Sequence, residues 1–94
     1  MNHGMDTGFL VAAEVVEDVS HQSARAKIAA LVAAGDRFAL APQVLSEFMH
    51  VVTDAKRFIA PLGMDAARDL AQKWWTAHEV TQVVPGDAAV AQFF

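Results

Sequence analysis

The chain has no cysteine. Disulfides, zinc ribbons and thiol catalysis are excluded, and stability must come from core packing, a bound ion or a partner chain. Charge is also sparse. Asp, Glu, Lys and Arg make up 19% of the 94 residues, and the net charge is −4. That balance argues against a broad basic surface, because phosphate neutralisation dominates nucleic-acid binding of that kind. It leaves room for a nuclease, where metal ions supply positive charge at the site. No apolar run is long enough to span a membrane. Met1-Asn2-His3-Gly4-Met5 has no basic stretch and no apolar run after it, so no signal peptide is visible. These absences point to a cytoplasmic protein without a membrane partner.

What remains is apolar: 54% of the residues are hydrophobic, so composition does not predict disorder. The length suits one small domain over residues 1–94 with a limited core. With three prolines and five glycines, each is a readable boundary. Gly8, beside Asp6 and Thr7, permits a tight strand-to-helix turn. Phe9 to Val16 is an apolar run broken by Glu14, read as the end of a buried strand passing into a helix. Ser20 is placed to cap a helix on which Ala24, Ile28, Leu31 and Val32 recur at helical spacing, with Gly35 ending it. Phe38 to Ala41 reads as a buried strand, and Pro42 starts a helix at its first position.

On that helix Val44, Leu45, Phe48, Val51, Val52 and Ala55 share one face, Glu47 lies at its flank, and Lys56 and Arg57 are expected in the last turn. Phe58 to Gly63, with Pro61, reads as a loop. Asp65 is expected to cap the next helix, whose apolar side carries Ala67, Leu70, Ala71 and Trp74. Val80 to Val84 reads as a strand stopped by Pro85-Gly86, and Asp87 as the cap of a last helix. Near-continuously apolar strands alternating with helices predict a parallel sheet covered by helices. The first strand is the weak element, since Asn2, His3 and Gly4 make a poor β sequence. The two terminal rings, Phe93 and Phe94, suggest either a chain cut inside a larger fold or burial against another subunit.

Two carboxylates stand out. Asp6 follows the first strand, where ligands bind in open parallel sheets, yet it is equally suited to capping the helix that begins near Phe9. Glu47 can be a metal ligand along the edge of the core or a solvated helix residue. Glu47 and His50 form one Glu-x-x-His spacing, but di-iron bundles need two copies and further glutamates. His50 is therefore read as a surface residue. Trp74-Trp75 can stack bases, or serve as core on one side and partner surface on the other. His3, His21 and His78 have no metal-ligand spacing, and Arg25, Lys27, Lys56 and Arg57 read as solvated faces.

The frames Asp6-Thr7-Gly8-Phe9-Leu10-Val11 and Leu40-Ala41-Pro42-Gln43-Val44-Leu45-Ser46-Glu47-Phe48 resemble the opening half of a PIN domain of the VapC-like toxins of bacterial toxin–antitoxin pairs. Val51 to Phe58, Trp74-Trp75, Val80 to Pro85 and Asp87 extend the resemblance over nearly the whole chain. It implies a three-layer α/β/α fold with a parallel sheet and an endonucleolytic ribonuclease that uses Mg2+ or Mn2+. Asp6 and Glu47 would be its first two acidic ligands, and Thr7 the hydroxyl that follows the first. The implied partners are an RNA substrate, an antitoxin protein and a second copy of the chain. The sequence departs from the family at Gly8, where asparagine or serine is common, and it contains no counterpart of the third and fourth acidic residues; Asp87 is in the wrong frame. The resemblance then also admits a truncated, inactive module that works by dimerisation or antitoxin binding, and a metal-free helical interaction domain is the third reading.

Overall fold

A computed structural model of the chain describes residues 1–83. Three parallel strands, β1 (Asn2–Gly4), β2 (Arg37–Leu40) and β3 (Val80–Gln82), form a sheet in the order β1-β2-β3. Four helices flank it: α1 (Thr7–Glu14), α2 (His21–Ala33), α3 (Pro42–Val52) and α4 (Met64–Thr76). The architecture is mixed α/β with a small parallel sheet, as the alternation of elements predicts. The helix expected from Asp87, with Phe93 and Phe94, lies outside the described residues, as do Val84 and Pro85-Gly86. No helix among the described residues is long and apolar enough to cross a membrane.

The poor β sequence at the start does form a strand. Arg37 N–H donates to Met1 O and Met5 N–H to Ala39 O, so β2 supplies the backbone partners that local propensity would not secure. Met5 is buried at the end of this strand, and the helix begins at Thr7. The run from Phe9 is thus helix from its first residue, which corrects the expected strand-to-helix passage. Its backbone donors are already committed to the α1 ladder, and Leu10, Val11, Ala12 and Ala13 are buried along it.

Helix α2 ends where Gly35 predicts. Gly35, at φ +79, donates its N–H to Val32 O, and Asp36 donates to Leu31 O. That pair of bonds is a Schellman motif, which needs a left-handed residue at the glycine position. At its other end Ser20 is the cap residue without a side-chain capping bond, and its own N–H donates to Asp18 Oδ1.

Two helix boundaries differ from expectation. Helix α3 stops at Val52, so Lys56 and Arg57 are beyond its last turn. The Thr53 hydroxyl donates back to Met49 O and Lys56 N–H to Asp54 Oδ1, and these local side-chain bonds replace the next helical turn. Helix α4 begins at Met64 with Gly63 as its cap, so Asp65 is in the first turn and makes no capping bond. There its charge still suits the helix dipole.

Alternation along the strands separates two faces. One carries Phe38, Leu40 and Val80, all buried in a cluster with Met5, Leu10, Val11, Leu45, Phe48, Val52, Ala67 and Ala71. The Trp74 ring meets Phe38 edge-on, with centroids 6.4 Å apart. The other face carries Asn2, Gly4, Arg37, Ala39 and Thr81; the Arg37 Nε–H donates to Thr81 Oγ1 at 3.2 Å. Buried residues of α1, α3 and α4 join the Phe38 cluster, while Ala12 and Ala13 of α1 pack with Ala24 of α2 in a second one.

Candidate functional site

Both candidate carboxylates follow from one feature of the fold. Helix α1 starts directly after β1, and α3 directly after β2. Because β1 and β2 are parallel neighbours, the two helices begin at the same edge of the sheet. This is the carboxyl end of the strands, where open α/β sheets bind ligands. Pro42 opens α3 at its first position, where a missing N–H removes no helical bond. Glu47 follows a turn and a half further on, by about 3.6 residues per turn.

The Thr7 hydroxyl donates to Glu47 Oε2 at 2.9 Å, joining the amino ends of α1 and α3 across 40 positions of sequence. Asp6 is the α1 cap, and its Oδ1 accepts from Phe9 N–H at 2.7 Å. Capping and placement at the sheet edge, offered by the sequence as alternatives, therefore coexist in one residue. Asp6 Oδ2 and Glu47 Oε1 accept no hydrogen bond from the described residues. Both side chains are exposed. Glycine at position 8 is not demanded by space: a Cβ there would meet Asp6 Oδ1 at 3.7 Å, an ordinary contact.

Among the described residues no group of three or more His, Cys, Asp or Glu side chains could hold a metal ion. The donors present are nevertheless of the right kind. Carboxylate oxygens suit Mg2+ and Mn2+, and Mg2+ is commonly held through one or two carboxylates plus substrate phosphates. Asp6 and Glu47 would be those ligands, with Thr7 orienting Glu47.

The other polar residues have separate roles. His50 is exposed, and the Glu47–His50 spacing gathers no further ligand. His21 Nδ1 is 2.9 Å from Ala12 O, tying α2 to α1. Arg25 is exposed, as expected, and pairs with Glu14 at 3.6 Å while reaching Ala13 O. Trp74 and Trp75 are both half-buried. Trp74 lines an apolar groove of about 240 Å³ with Ile28, Val32 and Leu70, rimmed by Arg25, Lys73 and Glu79. Trp75 lines a second groove between α3 and α4 with Leu45, Met49 and Arg68.

Sequence reasoning missed a pair at the far end of β1. His3 Nε2 is 2.9 Å from Asp36 Oδ2, and the Met1 amine is 3.4 Å from Asp36 Oδ1. The bond from His3, and then the Met1 amine, hold the Asp36 carboxyl below its usual range. An ionised carboxylate only accepts, so His3 donates through Nε2. Nothing local signals this contact, since the residues are 33 positions apart.

Compared with known proteins, the chain matches no family model and no curated protein.

Proposed function

We propose that this chain is a PIN-like module that acts by protein contact, with a second copy or an antitoxin, and carries half of a nuclease site. The observation supporting this reading is the groove between α2 and α4. Ile28, Val32, Leu70 and Trp74 line it, Val32 is exposed, and charges of both signs stand at its rim. An apolar channel with a polar rim is the usual anatomy of a protein-binding surface. At the sheet edge, by contrast, the support is a single bond, from Thr7, next to Asp6 in sequence, to Glu47.

Sedimentation at increasing concentration tests the reading, together with co-expression of the product of the adjacent reading frame. Association or a retained partner is expected, weakened at least tenfold by Val32→Lys. A folded monomer at every concentration that retains no such product would sink the proposal.

The metal-dependent ribonuclease is the second reading, favoured by the Thr7–Glu47 hydrogen bond that draws the two acidic frames together. Two carboxylates plus RNA phosphates fall within the coordination habits of Mg2+. The bound ion would activate water and steady the scissile phosphate. Under this reading Mg2+ or Mn2+ raises the melting temperature and supports RNA cleavage, and Asp6→Asn and Glu47→Gln abolish both effects. If neither ion changes stability or cleavage in the parent chain, the reading is wrong.

A further inference from the structure

The start of the chain gathers groups that neither reading uses. The Met1 amine is 3.4 Å from Asp36 Oδ1, and His3 Nε2 is 2.9 Å from Asp36 Oδ2. One carboxylate draws an amine and an imidazole to the same spot. Nε2 carries the proton donated to Asp36, so Nδ1 holds the lone pair of the neutral ring. Nδ1 makes no hydrogen bond among the described residues. A carboxylate on the far ring nitrogen is the common support of a metal-ligating histidine, because it fixes which nitrogen is free to coordinate. His3 is also the third residue of the chain. Between the Met1 amine and Nδ1 lie the backbone nitrogens of Asn2 and His3, so all of these donors can close small fused chelate rings around one ion. Nδ1 is the ring nitrogen near enough to the backbone to close the last of them.

We propose that Met1-Asn2-His3 binds Cu2+, and Ni2+ less tightly, through the Met1 amine, the Asn2 and His3 amide nitrogens and His3 Nδ1. A square-planar set of nitrogens selects these two ions, and the general affinity order of divalent metals favours copper. The ammonium and both amides each give up a proton on binding. Mg2+ and Mn2+ prefer oxygen donors, so this site is separate from the carboxylates of Asp6 and Glu47. Binding opposes strand pairing. Arg37 N–H donates to Met1 O, Met5 N–H donates to Ala39 O, and His3 is in register with Phe38. By the alternation of a parallel ladder the His3 backbone also faces β2, whereas the Asn2 amide points away from it. The ion takes the His3 amide out of the ladder and lifts residues 1–3 off β2, while Met5 stays on Ala39. Asn2-His3-Gly4 is a poor β sequence, so this end of the sheet is the one that yields. The inference goes beyond the proposed function and does not depend on whether the chain cleaves RNA or binds a protein.

The test is a titration of the whole chain with Cu2+, and separately with Ni2+, against glycine as a competing chelator. The expected result is one ion per chain, the visible absorption band of square-planar nitrogen coordination, and Cu2+ held roughly tenfold or more tighter than Ni2+. His3→Ala should lose the band and weaken Cu2+ binding by roughly a hundredfold, the upper range for disturbed metal sites. Adding two residues ahead of Met1 moves the amine away without changing any side chain, and should have the same effect. Asn2→Pro is tolerated at the first residue of an edge strand. It keeps the amine and the ring but removes one amide donor, and should also abolish the band. His50→Ala, at an exposed histidine of α3, should leave binding unchanged. In the diamagnetic Ni2+ complex, hydrogen exchange of the Arg37 amide should rise as it loses Met1 O, while the Met5 amide stays protected. Survival of the band in the extended chain, an equal loss in His50→Ala, no binding in the presence of glycine, or an Arg37 amide that stays protected in the complex would overturn the proposal. Failure here leaves the sedimentation and cleavage experiments untouched, so the readings are separable.

Discussion

Two glutamates, Glu17 after α1 and Glu47 midway along α3, make different use of their oxygens. Glu17, in the connection between α1 and α2, accepts from Ile59 N–H through Oε1 at 2.9 Å and from Ala60 N–H through Oε2 at 2.8 Å. Both oxygens are committed to the backbone of the α3–α4 loop. Glu47 accepts one hydroxyl from Thr7 and keeps Oε1 free of any such bond among the described residues. Asp6 beside it is likewise half committed. The difference separates a structural carboxylate from a candidate ligand. Glu17 holds in place a loop whose Ile59 is 97% exposed and gains little from burial. Glu47 is oriented by its neighbour and retains an acceptor for something else.

The largest expected effect breaks both regions together, because α3 runs between them. Phe48 is fully buried on that helix, so Phe48→Ala should cost roughly 3–5 kcal/mol in urea unfolding. Retention of parental stability would mean that α3 does not anchor the core. Glu17→Ala should come next, at about 1–2 kcal/mol, since it leaves two loop amides without their acceptor. Hydrogen exchange at Ile59 and Ala60 should rise with it. If those amides stay protected, the clamp is not what holds the loop.

Asp6 sharpens the contrast through two variants. Asp6→Ala removes the cap and should lower stability by about 1 kcal/mol, while Asp6→Asn should stay close to the parent because asparagine caps equally well. Equal losses in both would show that the negative charge, not the cap bond, stabilises α1. The smallest change expected is pH-dependent. Asp36 is held below its ordinary range chiefly by the bond from His3. A depressed carboxyl stabilises the fold above its unfolded value of about 3.9, and that contribution disappears as pH falls through the folded value. The stability gap between the parent and Asp36→Asn should be open at pH 6 and close in acid. A gap that persists unchanged to low pH would show that Asp36 acts by shape alone.

Local signals were legible where one residue decides within a turn. Gly35 ends α2 through its positive φ, and Pro42 opens α3. Asp65 failed as a cap because the chain enters α4 two residues earlier, through Gly63. Lys56 and Arg57 left the helix because Thr53 and Asp54 offered the backbone competing bonds, a weak signal within the sequence itself. Lys27 is exposed, as its reading as a solvated residue expects; helical spacing could not show that it also borders a cavity beside β1.

The sequence by itself determined the alternation of apolar strands and helices, the cap at Asp6 and the proposal that Asp6 and Glu47 belong together. Each depends on residues within a few positions or on a resemblance between whole frames. Only the tertiary structure decided that Asn2–Gly4 is a strand, that Thr7 bonds Glu47, that Glu17 clamps a loop 42 positions away, and that Lys27 shares a cavity with Asp6. The physical reason is common to the first two. Parallel pairing of β1 with β2 supplies the backbone partners that make the first strand, and it brings the starts of α1 and α3 to one edge. The loop clamp and the cavity likewise require distant segments to pack, and no local pattern encodes that.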